Sequence, residues 1–287
     1  MVLTAMTRAI DVMHLGRDRV ICAHERDGLI IDPGPTTCLD TLLGALGGQE
    51  PRALMLTHIH LDHAGASGAL VRRFPNLKVY VHERGAPHMI DPSKLMKSAT
   101  QLYGDDMERL WGEVVPVPEQ NIQVLSGGET IEGLRVEYTP GHASHHVTYF
   151  DEDSGDAFVG DTGGVRIPPC GFVIAPTPPP DIDLEKWSAS LDLIESRSPQ
   201  RLRLTHFGGF DNVAEHIEQL RGRLAAWSEV AKVADEQRYI EVVEAEVRAS
   251  AGDDDTAESY FQAVPPDQAY LGLERYWSKK AEKEAVT

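Results

Sequence analysis

The chain of 287 residues is 41% apolar and 25% charged, as in an ordinary globular protein, with no apolar run long enough to span a bilayer. Its formal charge of −18 gives an average field that repels polyanions and argues against nucleic acid as a partner. Met1 to Ile10 lacks an apolar core with a small-residue cleavage site, and Cys22, Cys38 and Cys170 share no Cys-x-x-Cys spacing, which points to a cytoplasmic protein with reduced thiols and no membrane partner.

Taken in order, Ala9 to Met13, Arg19 to Ala23 and Leu29 to Asp32 are predicted strands, the last two joined by the polar turn His24 to Gly28. Asp32-Pro33-Gly34-Pro35 stops the third, and Thr36 or Thr37 caps a helix running to about Leu46. Arg52 to Leu56 is the next strand and Ala66 to Phe74 the next helix. Between them His58, His60, Asp62 and His63 place four metal-binding groups within six residues. A strand end followed by a tight loop splays these groups towards one point, which neither a continuous helix nor a straight strand does, so the loop can serve two ions. Imidazole with one carboxylate and no thiolate suits zinc, and also iron, nickel or cobalt. Leu77 to Val81 completes a β, loop, α, β order, that of an α/β fold. His82 and His88 beyond it are expected to be hydrogen-bonded rather than ligating.

Asp91 to Trp111 carries helical patches whose apolar stripe, Leu95, Leu102, Met107 and Trp111 among them, reads as core. The alternative is a helical pair that overhangs the site and shapes its pocket. Strands follow at Val114 to Val117, Ile122 to Leu125, Glu129 to Ile131 and Leu134 to Thr139, the last ending at Pro140-Gly141-His142. His145 and His146 are structural or substrate-facing. Val147 to Phe150 and Ala157 to Val159 form a hairpin, after which Asp161 offers one carboxylate oxygen to each of two ions. Thr162 to Pro180 is a proline- and glycine-rich loop placed to line a pocket. Within it Arg166 is a candidate for binding a substrate carboxylate or phosphate, the alternative being a pairing with surface carboxylates. Asp183 to Ser196 is an amphipathic helix, and Arg201 to Thr205 a strand that delivers His206. From Asp211 the pattern is helical to about Ala249, breaks at Gly252 to Asp255, and resumes from Pro266 to Glu284. The aromatic face of that last helix implies docking on the body or on a second copy in a homodimer.

With these residues in this order, positions 58 to 63 resemble the His-x-His-x-Asp-His signature of the metallo-β-lactamase superfamily. Gly141-His142, Val159-Gly160-Asp161 and Leu204-Thr205-His206 stand where that family places its third, bridging and last ligands. The resemblance covers about residues 9 to 227, which divides the chain into a family domain, 1–227, and a helical C-terminal extension, 228–287. It implies an α/β fold, a four-layer αββα sandwich of two mixed β-sheets flanked by helices.

It further implies His58, His60 and His142 on one divalent ion, Asp62, His63 and His206 on another, and Asp161 on both. Zinc is the first choice, iron or manganese the alternatives. Asp32 is expected to hold a ligand histidine by its other ring nitrogen, or else to bond its own backbone. The implied reaction is hydrolysis of a small-molecule ester, thioester or lactone by a metal-bridging hydroxide, with Asp62 orienting it or taking its proton. Rival readings are a phosphodiesterase and an iron-dependent redox enzyme. Persulfide dioxygenases use a subset of these ligands, whereas flavodiiron proteins usually carry glutamate where this chain has His60.

Overall fold

Short apolar strands build two six-stranded sheets in a computed structural model that describes residues 6–286. The first sheet holds β1 (Arg8–Asp11), β2 (Cys22–Arg26), β3 (Leu29–Ile31), β4 (Ala53–Met55), β5 (Lys78–His82) and β6 (Ile122–Leu125) in sequence order. It begins as an antiparallel meander and turns parallel from β3 onwards. The second holds β7 (Thr130–Ile131), β8 (Leu134–Tyr138), β9 (Val147–Asp151), β10 (Asp156–Phe158), β11 (Arg201–Leu204) and β12 (Gly208–Phe210), antiparallel except where β11 runs parallel to β10.

Parallel neighbours need crossovers, and helices supply them. They are α1 (Leu39–Ala45), α2 (Leu61–Ala64), α3 (Ser67–Arg73), α4 (Ala86–Ile90), α5 (Ser93–Tyr103), α6 (Met107–Trp111) and α7 (Leu184–Ser196). After β12 come α8 (Val213–Val233), α9 (Glu236–Ala251), α10 (Asp254–Ala263) and α11 (Pro266–Val286). Side-chain alternation then fixes the layers. Leu29, Met55, Val136, Tyr149 and Phe158 meet between the sheets. Ile30, Leu54 and Val79 face the other way, onto Leu42 and Leu70 of the first helical layer. Ala157, Leu202 and Leu204 pack against Trp187, Leu220, Tyr239 and Tyr260 of the second. The result is the four-layer αββα sandwich. No described helix is long and apolar enough to cross a membrane.

Four elements depart from the sequence reading, each for an identifiable reason. β2 covers Cys22–Arg26, so the polar stretch expected as a turn is half strand. Its polar groups are satisfied inside, since His24 Nε2 donates to the Leu204 carbonyl at 2.9 Å and Arg26 pairs with buried Asp151. Val114 to Val117 forms no strand, and the Val117 amide donates instead to the Met89 carbonyl. The long helix expected after Asp211 breaks at Ala234, where Asp235 caps α9 by accepting from the Arg238 amide at 2.9 Å. Asp253 does the same for α10, accepting from Thr256 at 2.7 Å, so a segment expected only as a break begins a helix.

α8 runs unbroken through position 227, where the sequence reading set its domain boundary. Residues on both sides of it, from Trp187 to Tyr239 and Tyr276, share one core. α11 docks on the body: Trp277 Nε1 donates to the Ser228 carbonyl at 2.9 Å, and the Tyr276 hydroxyl to Glu185 at 2.7 Å.

Candidate metal centre

The C-terminal ends of β3, β4, β8, β10 and β11 lie along one edge of the sandwich, and the loops leaving them converge. After β4 the chain turns at Thr57, whose amide and hydroxyl both donate to Asp32 at the end of β3, at 2.8 and 2.7 Å. The loop then presents His58 and His60, and the first turn of α2 presents Asp62 and His63. Beyond β8, His142 follows Gly141, whose φ of +143° and closeness to Trp187 admit no side chain: a Cβ there would lie 2.3 Å from the Trp187 Cα. Asp161 sits in the short helical turn after β10, and His206 directly follows the Leu204-Thr205 end of β11.

These side chains form three overlapping groups: His58, His60 and His142; His58, His63 and Asp161; Asp62, His63 and His206. Asp161 joins them. Its Oδ2 lies 3.4 Å from His142 Nε2, while its Oδ1 lies 3.2 Å from His63 Nε2 and 3.6 Å from His206 Nε2. Asp62 Oδ2 stands 3.3 Å from His206 Nε2, and His60 Nδ1 3.0 Å from His142 Nε2.

The outward-facing ring nitrogens of His58, His63, His142 and His206 are held, which fixes their tautomers. His63 Nδ1 donates to Asp32 at 2.8 Å, His142 Nδ1 to the Pro176 carbonyl at 2.9 Å, and His206 Nδ1 to the Val20 carbonyl at 2.6 Å. The Thr57 hydroxyl proton is committed to Asp32, so its oxygen accepts from His58 Nδ1 at 3.1 Å. The Nε2 atoms of these histidines face inward. Those of His58, His63 and His206, with Oδ1 of Asp161, are buried and have no hydrogen-bond partner. Orphaned polar atoms are costly in an interior, and several aimed at one space fit a cation between them.

Electrostatics agree. Burial, reinforced by the neighbouring rings, lowers His58 far below the ordinary imidazole value and His60 to about 4, so both are neutral donors. Burial also works against charge on His63 and His206, but Asp161 and Asp62 outweigh it and raise both. Those same imidazoles overcome the burial of Asp62 and Asp161 and hold the two carboxyls well below their usual range.

Residues 20–206 match the family model of the metallo-beta-lactamase superfamily. The chain belongs to this superfamily. Among its relatives is the metallo-beta-lactamase fold-containing protein ST1585 of Sulfurisphaera tokodaii, 28% identical over 58% of this chain and 65% of that one. The crystal structure of ST1585 superposes with a TM-score of 0.61 over 74% of this chain and 85% of its own. A hydroxyacylglutathione hydrolase of Synechococcus sp. is 30% identical over 57% of this chain and 51% of its own length, so the chain spans about half of that relative. TTHA1623, solved in a di-iron-bound form, superposes with a TM-score of 0.51 at 25% identity, over 77% of this chain and 96% of that one.

Other candidates from the sequence fall outside the superfamily centre. Arg166 does not reach the cleft: its amide donates to the His206 carbonyl at 2.7 Å, which turns the guanidinium onto the Phe210 ring, 4.4 Å away, and the Asn212 side chain. Its backbone braces the His206 strand end, and its side chain is not among those lining the cleft. His146 uses both nitrogens internally, with Thr139 at 3.0 Å and the Thr162 amide at 3.3 Å, and is structural. His145 is the one that faces the cleft, 9% exposed, with Nδ1 unpartnered. His82 stacks on Tyr138 and His88 lies on the cleft wall, both outside the ligand groups.

The cleft over the centre has a volume of about 1120 Å³. α5 and α6 form one wall, so the apolar stripe read as core also shapes the pocket. The opposite wall comes from α11 and the Pro176–Pro180 loop. Sequence reasoning did not place Arg275 and Lys279 on the cleft. The usable signal was their four-residue spacing on the side of α11 away from Tyr276 and Trp277.

Proposed function

We propose that this chain is a dinuclear metal-dependent hydrolase of a small-molecule ester, thioester or lactone. One observation carries the reading: the two oxygens of Asp161 face different histidine sets, the arrangement a bridging carboxylate requires. His58, His60 and His142 would hold one cation, Asp62, His63 and His206 the other, and Asp161 both. Zinc suits imidazole and carboxylate donors without thiolate, and iron or manganese are compatible with them. When bound, such a pair brings the pKa of water towards neutrality and polarises the scissile bond.

The chain's own residues supply position and proton transfer. Asp62, anionic in the resting site, orients a water through its carboxylate or takes up its proton. Asp32 holds His63 in the required tautomer. His145, beside His58 and His60, positions the substrate carbonyl from the cleft floor. Water cleaves the acyl bond to give a carboxylate, an alcohol or thiol, and one proton. The relative named a hydroxyacylglutathione hydrolase supports an acyl bond over a phosphodiester, as does the acidic net charge.

Elemental analysis followed by a panel of acyl and phosphoryl substrates tests this. Two divalent ions per chain and acyl turnover that Asp62→Ala abolishes are expected. A metal-free protein, or turnover indifferent to Asp62→Ala, would overturn it. The di-iron-bound structural relative favours a second reading, iron-dependent oxidation, which oxygen uptake with a persulfide by iron-loaded protein would reveal.

A further inference from the structure

At about 1120 Å³, the cleft exceeds the roughly 300–1,000 Å³ usual for small-molecule pockets, and its lining is sorted by depth. Trp111 and Val264 are buried, Leu95, Leu102 and Tyr103 half-buried, while Arg84, Lys94, Arg275 and Lys279 are exposed at the rim. Apolar surface thus continues from the reactive floor along α5 and α6, and positive charge gathers at the mouth.

These cations are conspicuous in a chain of net charge −18. Elsewhere on the surface Arg17, Arg52, Arg72 and Arg221 pair with carboxylates. The four at the rim pair with none among the described residues. Acids share the wall: Asp181 accepts from Ser144, Glu274 from Ser278, and Glu282 lies further along α11; serine hydroxyls cancel no charge, so the four cations outnumber these three acids by one. α11 itself divides by face. Tyr276 and Lys280 clamp Glu185 of α7, while Arg275, Lys279 and Glu282 stand at helical spacing along the cleft.

We propose that the cleft takes an amphipathic, anionic acyl compound. Its scissile bond lies at the floor, an extended apolar acyl group lies against Leu95, Leu102 and Trp111, and an anionic leaving group is held by Arg275 and Lys279 with Arg84 and Lys94. This rests on the hydrolase reading above and names the substrate class that reading leaves open.

Thioesters of butyric and decanoic acid, each made with neutral 2-mercaptoethanol and with anionic 2-mercaptoethanesulfonate, test both arms with metal-loaded protein. kcat/KM should rise at least tenfold from butyryl to decanoyl and at least tenfold from the neutral to the sulfonate thiol. The second ratio should fall towards one in the Arg275→Gln/Lys279→Gln double variant and in 0.5 M salt. Turnover indifferent to acyl length and thiol charge overturns the proposal and leaves the hydrolase reading intact. If no thioester is cleaved, the hydrolase reading passes to the ester and lactone substrates of its own panel, and Trp111 fluorescence decides the cleft separately. Saturable quenching by dodecanesulfonate, absent with butanesulfonate, with neutral dodecyl maltoside and in Trp111→Phe, supports it; equal responses to all three compounds overturn it.

Discussion

Asp32 and His63 share a 2.8 Å hydrogen bond with neither side chain exposed to solvent. The same Asp32 Oδ2 accepts from the Thr57 hydroxyl at 2.7 Å and the Thr205 hydroxyl at 2.9 Å, so one oxygen ties together two of the segments that carry candidate ligands, 57–63 and 205–206. We predict that Asp32→Asn, which weakens this acceptor and can set an N–H against three donors, lowers metal affinity by about 10–100-fold. Competition with a chromophoric chelator measures this, with circular dichroism as the check on folding. Unchanged affinity would remove Asp32 from the centre.

Metal should stabilise the fold, because the orphaned nitrogens and Asp161 Oδ1 gain partners only from it. Dialysis against a chelator is predicted to lower Tm, and zinc at 100 times its Kd to restore about 2.7 kcal/mol, a rise of roughly 5 °C or more. A Tm that ignores both treatments would argue against any ion at this edge.

The buried pair of Arg26 and Asp151 gives a prediction away from the site, their side chains being 9% and 1% exposed. Arg26→Met strands a buried carboxylate and should cost about 3–5 kcal/mol at pH 7. Burial raises the Asp151 pKa, but Arg26 outweighs it and holds the carboxyl below its ordinary value. The stabilisation from the pair is therefore present above the unfolded value of about 3.9 and lost as pH falls below it. Urea denaturation at pH 7 and at pH 3.5 should show the gap between variant and wild type closing at the lower pH.

Two glycines form a matched pair. A Cβ on Gly272 of α11 would lie 1.9 Å from the Thr177 carbonyl oxygen, whereas one on Gly44 of α1 meets nothing within 4 Å. Thr177 adjoins Pro176, whose carbonyl holds His142. Gly272→Ala should cost about 1–3 kcal/mol and weaken metal binding, while Gly44→Ala should stabilise by about 0.4–1 kcal/mol. Thermal melts paired with metal titration separate the outcomes, and a harmless Gly272→Ala would show that α11 is not seated against the loop.

Much of the centre is legible in sequence because the reactive groups follow apolar strands directly: once β4 is recognised, the positions of His58 to His63 are set by local geometry. The same holds for the way His142, Asp161 and His206 leave their strands. What stayed hidden depended on partners far along the chain. His24 to Arg26 of β2 looked like a turn because nothing local shows that His24 meets Leu204 or Arg26 meets Asp151. Arg166 stayed open between substrate and protein partners because nothing local shows that Phe210 and Asn212 hold it. α5 and α6 carry a stripe that one helix alone cannot assign to core or to pocket.

The candidate ligands all lie between His58 and His206, whereas Val264, Arg275 and Lys279 of the cleft are translated after them. Under the proposed substrate class, the share of selectivity carried by α11 is thus written after the reactive groups, while the share carried by α5 and α6 lies among them. Substitutions along the outer face of α11 can retune which compounds are admitted while every reactive group keeps its place. One ancestral catalyst can in this way give rise to descendants with different diets.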